Sequence, residues 1–151
     1  MPFKLSERSL SNLQGVDESL VKVVKKAIQI TTVDFGVICG LRTLEQQKAL
    51  VAKGASQTLN SKHVEGKAVD LMAYVDGRAS WELNLYDDIA LAMKYAAKEF
   101  KIPIRWGAAW NVPDLTKWNG TMEGAMNYYI DSKRKVNQRP FIDAPHFEIV
   151  T

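Results

Sequence analysis

The chain has 151 residues, of which 46% are hydrophobic and 25% are charged, and its formal net charge is +3. This composition is ordinary for a globular domain, and no apolar run approaches the roughly 20 residues that a membrane-spanning helix needs. The single cysteine, Cys39, excludes an internal disulfide, and no repeat or low-complexity linker divides the chain. We therefore expect one domain over residues 1–151, without stable membrane association.

The first elements are predicted from capping residues and apolar periodicity. Asp17 is a suitable N-cap for a helix that runs to about residue 31. The apolar face of this helix consists of Leu20, Val24, Ala27 and Ile28. The β-branched and apolar run at 35–40 predicts a buried strand. Thr43 and Gln46 form a capping-box pattern that opens a second helix, and Gly54 ends it.

The rest of the chain continues the mixture of helices and strands. After a loop at 55–62, residues 67–73 predict a strand that carries Asp70. A long helix is predicted at 85–100, with Ile89, Met93, Ala96, Ala97 and Phe100 facing the core. Three more elements are predicted: a strand at 103–106, a helix at 123–131 and a strand at 145–150. Because helices and strands are partly segregated, we expect an α+β fold in which helices flank a small antiparallel sheet.

The only two histidines each lie in a short polar cluster, at 61–70 and at 143–148. A zinc hydrolase needs about three nitrogen or oxygen ligands, a water molecule and a carboxylate that takes the proton of that water. His63, Asp70 and His146 could supply the ligands, and Asp143 the base. The alternative is that each histidine is a hydrogen-bonded structural residue, which is the commoner case for a histidine taken alone.

Four ordered motifs carry a resemblance to a known family. The segment 61–70 resembles the S-x-H-x-x-G-x-A-x-D signature of the D-alanyl-D-alanine metallopeptidase family, which includes vancomycin-resistance dipeptidases and phage L-alanyl-D-glutamate endolysins. The segment 143–148 is similar to the family's C-terminal [DE]-x-x-H-x-[EH] motif. Residues 39–46 are similar to the endolysin stretch G-x-R-[ST]-x-x-x-Q, with Gln46 taken as its glutamine. Residues 105–110 are similar to the endolysin stretch R-[FW]-G-x-D-W.

This resemblance implies a fold like those of the D-alanyl-D-alanine peptidases and the hedgehog domains. It implies that Zn²⁺ is bound by His63, Asp70 and His146, with Asp143 as the base and Glu148 as a rival base. The implied enzyme is a zinc endopeptidase that cuts the L-alanyl–D-glutamate bond of peptidoglycan stem peptides. Two alternatives remain open: a D-alanyl-D-alanine carboxypeptidase or dipeptidase, and a catalytically silent zinc-binding module.

Four further residues are candidates for contact with the substrate. Arg42 could stabilise a tetrahedral oxyanion or bind a substrate carboxylate, and its alternative is a surface salt bridge. Ser61, Gln46 and Trp110 are candidate substrate-binding residues. Each has a structural alternative, since Ser61 could be a loop serine, Gln46 a helix-capping residue and Trp110 a packing residue.

The mild positive charge suits an anionic partner such as peptidoglycan. Nucleic acid is the competing partner, but the basic stretch 133–135 contains no interleaved aromatic residues and no recognised binding motif, so we expect none. The N-terminal segment has no apolar signal core. We therefore expect a monomer that stays in the host cytoplasm until lysis, and that then reaches the periplasm and cell wall through a hole made by a phage holin.

Overall fold

Five antiparallel strands form one sheet in the computed structural model, which describes residues 3–56 and 61–150. The strands are β1 (Asp34–Cys39), β2 (Ala68–Val75), β3 (Arg78–Ser80), β4 (Ile104–Trp106) and β5 (His146–Ile149). The helices within these residues are α1 (Glu7–Asn12), α2 (Glu18–Ile30), α3 (Leu44–Ala52), α4 (Leu83–Phe100) and α5 (Met122–Lys135), and a 3-10 turn covers Leu115–Lys117. The predicted α+β class with a small antiparallel sheet is confirmed.

The register of the sheet brings three potential ligands into one row. The strands follow the order β1-β2-β5-β4, and β3 pairs with the end of β2. Cys39 lies opposite Asp70, and Asp70 lies opposite His146. Directly opposed residues of antiparallel strands project from the same face of the sheet. The pairing therefore places a thiol, a carboxylate and an imidazole side by side across three strands.

The opposite face of the sheet belongs to the hydrophobic core. Val69, Leu71 and Ala73 alternate with Asp70 along β2, and all three are fully buried. They join one cluster with apolar residues of the two long helices, including Leu20, Val23 and Ala27 of α2 and Ile89, Met93 and Ala96 of α4. This core supports the strand from behind, so that the polar face of β2 is held on a rigid base.

Most of the predicted elements are present, and local capping explains where two helices begin. The Asp17 carboxylate accepts a hydrogen bond from the N–H of Ser19 at 2.8 Å. Thr43 and Gln46 form the complete capping box of α3. The predicted loop at 55–62 includes residues 57–60, which lie outside the described part of the chain. No helix among the described residues is long and apolar enough to cross a membrane.

Several features differ from the sequence-based expectation. Phe100 was expected in the core, but it is 37% exposed because it is the last residue of α4, where Lys22 covers part of its ring. Helix α5 is longer than the predicted 123–131. Its last turn holds three basic side chains, which favour the negative end of the helix dipole. The short elements α1 and β3 and the 3-10 turn were not predicted.

Candidate active site

Both histidines converge on the carboxylate of Asp70. His63 Nε2 lies 3.2 Å from Asp70 Oδ1, and His146 Nδ1 lies 3.3 Å from the same oxygen. His63 comes from the turn that precedes β2, whereas His146 opens β5 directly opposite Asp70. Both imidazoles are almost fully buried. The structure thus brings together the three residues that the sequence predicted as ligands.

The second ring nitrogen of each imidazole lies within hydrogen-bonding distance of an oxygen atom. His63 Nδ1 lies 2.9 Å from the backbone oxygen of Gly40, and His146 Nε2 lies 2.8 Å from Glu148 Oε1. Glu148 is itself buried, 7% exposed, and does not line the cleft described below. Such partners orient imidazole ligands and fix which nitrogen faces the ion. This geometry assigns Glu148 to the support of His146.

The donor atoms fit a metal ion. Two groups of potential ligands have their donor atoms within 4.8 Å of one another, one made of Cys39, His63 and Asp70 and the other of Asp70, Asp143 and His146. Asp70 belongs to both groups, whereas His63 and His146 fall in separate groups. In a tetrahedral zinc site, ligands about 2.0–2.2 Å from the ion lie roughly 3.3–3.5 Å apart, close to the two Asp70–histidine separations. Imidazole nitrogens and one carboxylate form a donor set that suits zinc and other transition metals.

Strong coupling between these charges shifts their pKa values. Burial alone would lower the pKa of His63, but hydrogen bonds to Asp70 and Cys39 raise it to about 10. Burial would also lower the pKa of His146, but its hydrogen bonds to Asp70 and Glu148 raise it. Burial would raise the pKa of Asp70, yet its hydrogen bonds to the two histidines hold it well below its usual range. A cation that binds here must therefore displace protons.

Arg42 lies in the loop between β1 and α3, and its guanidinium is held on three sides. Its Nη1 donates to Gln47 Oε1 at 2.6 Å, and its Nη2 lies 3.1 Å from Cys39 Sγ and 3.7 Å from Asp70 Oδ2. The backbone N–H of Arg42 also donates to the oxygen of His63 at 2.9 Å. The side chain is largely buried, so the surface salt bridge considered as its alternative does not describe it.

The glutamine of this region is Gln47, which the sequence reasoning missed. Gln46 is exposed, and its side chain accepts a hydrogen bond from the N–H of Thr43 in the capping box of α3. Gln47 is fully buried and joins Arg42 to Ser56. The eighth position of the pattern G-x-R-[ST]-x-x-x-Q, counted from Gly40, falls on Gln47. Counting that pattern strictly would have identified it.

Asp143 stands at the edge of the same cluster. Its N–H donates to the oxygen of Gly107 at 2.9 Å, and its own oxygen accepts from the N–H of His146 at 3.0 Å. A side chain at position 107 would place a Cβ only 2.2 Å from the Asp143 oxygen, so glycine is required there. Burial, followed by the charge of Asp70, raises the pKa of the Asp143 carboxyl.

These groups line a cleft of about 540 Å³. Its polar wall includes Arg42, Ser61, His63, Asp70 and Asp143, and its apolar wall includes Leu50, Ala55, Trp110 and Phe141. Among the predicted catalytic and substrate-binding residues, only Gln46 does not line this cleft. Ser61 Oγ also accepts from the N–H of His63 at 3.2 Å, which shapes the turn. Phe141 was not predicted, because only the folded chain brings it to the cleft.

Buried imidazole donors and a half-buried carboxylate donor, with a second carboxyl group and a guanidinium in the same cleft, define a site of the metallopeptidase class. A family model described as phage L-alanyl-D-glutamate peptidase matches residues 1–150 of the chain. The chain therefore belongs to the phage L-alanyl-D-glutamate peptidase family. The resemblance inferred from the four motifs is confirmed.

Individual relatives agree with this assignment. The L-alanyl-D-glutamate peptidase of Escherichia phage T5 is 34% identical over 115 residues, which are 74% of this chain and 84% of that protein. The L-alanyl-D-glutamate peptidase of Listeria phage A118 is 28% identical over 107 residues, 69% of this chain and 37% of that protein. The crystal structure of Serratia marcescens L-Ala D-Glu endopeptidase ChiX superposes with a TM-score of 0.72 at 33% identity, covering 97% of this chain and 90% of that one.

Proposed function

We propose that this protein is a zinc endopeptidase that hydrolyses the L-alanyl–D-glutamate bond of peptidoglycan stem peptides and so lyses the host cell. The observation that carries the proposal is the convergence of His63 and His146 on Asp70 in a cleft that Asp143 and Arg42 also line. The names of the relatives in the same family supply the bond.

His63, Asp70 and His146 would hold the zinc ion, and Glu148 would orient His146. When bound, zinc would lower the pKa of a water molecule and polarise the scissile carbonyl. Two neutral imidazoles and one carboxylate leave a net charge of +1 on the zinc site, which favours both effects. Asp70 already joins the two histidines, and His63 and His146 would move closer to one another around the bound ion.

Asp143 is the proposed general base. Its carboxyl group lies in the cleft within 4.8 Å of the donor atoms of Asp70 and His146, which is close enough to reach a water molecule held between them. It would take the proton of the attacking water and then protonate the amine of the leaving D-glutamate. A catalytically silent binding module has no need of a half-buried carboxyl group at this position.

Arg42 supplies the fixed positive charge of the cleft. Because Gln47 and Cys39 hold its guanidinium, the charge is in place before substrate binds and loses little freedom when it is used. It would donate hydrogen bonds either to the oxyanion that develops at the scissile carbonyl or to a carboxylate of the stem peptide.

The proposed biological setting is phage-induced lysis. In it the protein acts as a monomer and reaches the wall from the host cytoplasm through a membrane hole made by a holin. The proposal rests on the family assignment, because peptidases of this kind act on a wall that lies outside the membrane.

The test is digestion of purified Gram-negative-type peptidoglycan followed by mass analysis of the soluble fragments, with and without a chelator. We expect new N-terminal D-glutamate, stem peptides released whole, and no reaction after chelation until zinc is restored. His63→Ala is the matched control for the metal. Release of free D-alanine with intact L-alanyl–D-glutamate bonds would establish the carboxypeptidase instead.

A further inference from the structure

A row of aromatic rings leads from the histidine cluster to the mouth of the cleft. The ring of Trp110 lies 5.3 Å from that of His146, and the ring of Phe141 lies 6.3 Å from Trp110 on a nearly parallel plane. Phe141 is 39% exposed and lines the cleft. The outer end of the row therefore presents apolar surface to whatever enters.

The position of Phe141 is fixed although it belongs to neither a helix nor a strand. Its N–H donates to the hydroxyl of Tyr129 at 3.0 Å, and its carbonyl oxygen accepts from Trp110 Nε1 at 3.0 Å. Tyr129 is buried on α5, and the guanidinium of Arg105 donates to the backbone oxygen of Trp110. Both backbone polar groups of Phe141 are thus bound by side chains, which holds its ring at the cleft.

The apolar and the charged lining residues of the cleft match the two residues that flank the scissile bond. Alanine carries an apolar methyl group, and a glutamate inside a stem peptide keeps one free carboxylate. Trp110 and Phe141 offer apolar surface next to His146, whereas Arg42 offers a positive charge next to Cys39. Asp70 lies between Cys39 and His146 in the sheet register. Apolar contact and charge pairing therefore both favour one orientation, with alanine at the aromatic wall.

We propose that Phe141 is a substrate-binding residue that contacts the L-alanine side of the scissile bond, and that Tyr129 is the residue that positions it. This inference rests on the proposed endopeptidase function. It also gives a purpose to the segment between Trp110 and Asp143, because α5 then serves to hold one wall of the cleft.

The experiment compares variants of Phe141 on two soluble synthetic stem peptides, one with L-alanine and one with glycine before D-glutamate. For the alanine peptide, Phe141→Ala should raise KM about tenfold, with kcat and zinc content nearly unchanged. Phe141→Leu should recover most of this loss. For the glycine peptide the rise in KM should be much smaller, because the methyl group is missing from the substrate. An equal rise for both peptides, or none, would overturn the proposal.

A matched pair of variants tests the positioning role of Tyr129. Tyr129→Phe removes only the hydroxyl that binds the N–H of Phe141, and it should raise KM for the alanine peptide several-fold without changing the zinc content. Tyr128→Phe removes the hydroxyl of the neighbouring exposed tyrosine and should leave KM unchanged. Equal effects of the two variants would contradict the role of Tyr129. If the wild-type protein does not cut the alanine peptide, the endopeptidase function itself fails, which is a separate result.

Discussion

Some functional groups of the site stand on hydrogen-bonded strands, here called the sheet side, and others stand on loops, here called the loop side. His63, in the turn before β2, completes the proposed metal site. The sheet side consists of Asp70, His146 and Glu148, which the pairing of β2 with β5 places together. The loop side consists of Arg42, Asp143 and Phe141, each held by hydrogen bonds from elsewhere in the chain.

This difference suggests a division of labour. Strand pairing fixes donor atoms to within fractions of an ångström, as a metal site requires, and neighbouring strands need only the correct register to do so. Loops place groups of varied chemistry around that site, and they can change without disturbing the sheet. Substitutions on the sheet side should therefore alter metal affinity, and substitutions on the loop side should alter turnover or KM with the metal retained.

The largest effect on the loop side is expected at the base. Asp143→Asn keeps the shape of the side chain but removes the proton acceptor, so kcat should fall by about 10²–10⁴-fold. Zinc content measured by elemental analysis should stay at the wild-type value. A variant that loses zinc and regains full activity when zinc is resupplied would make Asp143 a ligand and would break the comparison.

Arg42→Met tests the fixed charge. If the guanidinium stabilises the oxyanion, kcat should fall by about 10²–10³-fold with little change in zinc content. If it binds a substrate carboxylate equally in the ground state and the transition state, KM should rise instead. Wild-type kinetics in a folded variant would remove Arg42 from the machinery, and circular dichroism provides the check on folding.

Glu148→Gln tests whether Glu148 orients the proposed ligand His146 on the sheet side. Loss of the carboxylate behind His146 should weaken zinc affinity by about 10–100-fold, because such partners orient the imidazole. At saturating zinc the variant should recover most of its turnover. A variant that binds zinc normally yet stays inactive would identify Glu148 as the base and would exchange the roles of the two sides.

The smallest expected effect is on the free energy of unfolding, at Asp87 on α4, which belongs to neither the sheet side nor the loop side. Burial, then the charges of Glu123 and Asp88, raises the pKa of this carboxyl to about 6, and its Oδ1 is buried without a hydrogen-bond partner among the described residues. Between its ordinary pKa and about 6, the unfolded chain loses this proton while the folded protein keeps it. The free energy of unfolding should therefore fall as the pH rises through that window.

Asp87→Asn removes this titration. Relative to the wild type, the variant should gain stability as the pH rises from about 4 to 7, and denaturant unfolding at several pH values measures the gain. Activity and zinc content should not change. A stability difference between the two proteins that is independent of pH would refute the assignment.

The parts of the fold that were predictable have strong local signals. The capping residues Asp17 and Thr43 mark two helix starts, and alternation around Asp70 marks the central strand. The missed strand β3 has only three residues, although Asp76 and Gly77, both at positive φ, form the kind of dipeptide that favours a tight hairpin. Helix α1 is six mostly polar residues long, too short for apolar periodicity to show.

The residues of the site, like the elements of the fold, divide into those that the sequence predicted and those that it missed. The metal-ligand candidates were found because motif spacing concentrates them in two short segments. The role of Gln47 depends on its burial against Arg42, and that of Phe141 depends on the return of the chain from α5. Both contacts arise from tertiary packing. The motif counted from Gly40 would have located Gln47, but no local pattern predicts the contact of Phe141. The strand register also places Cys39 beside Asp70, which the apolar run around Cys39 does not predict.

The most direct test of the division between the two sides is zinc titration of three metal-free proteins: the wild type, His146→Ala and Asp143→Asn. Elemental analysis after equilibration gives the stoichiometry, and circular dichroism confirms that each protein is folded. We expect one zinc per chain in the wild type and in Asp143→Asn, and close to none in His146→Ala. Equal zinc binding by all three proteins, or its loss in Asp143→Asn, would contradict the proposed metal site.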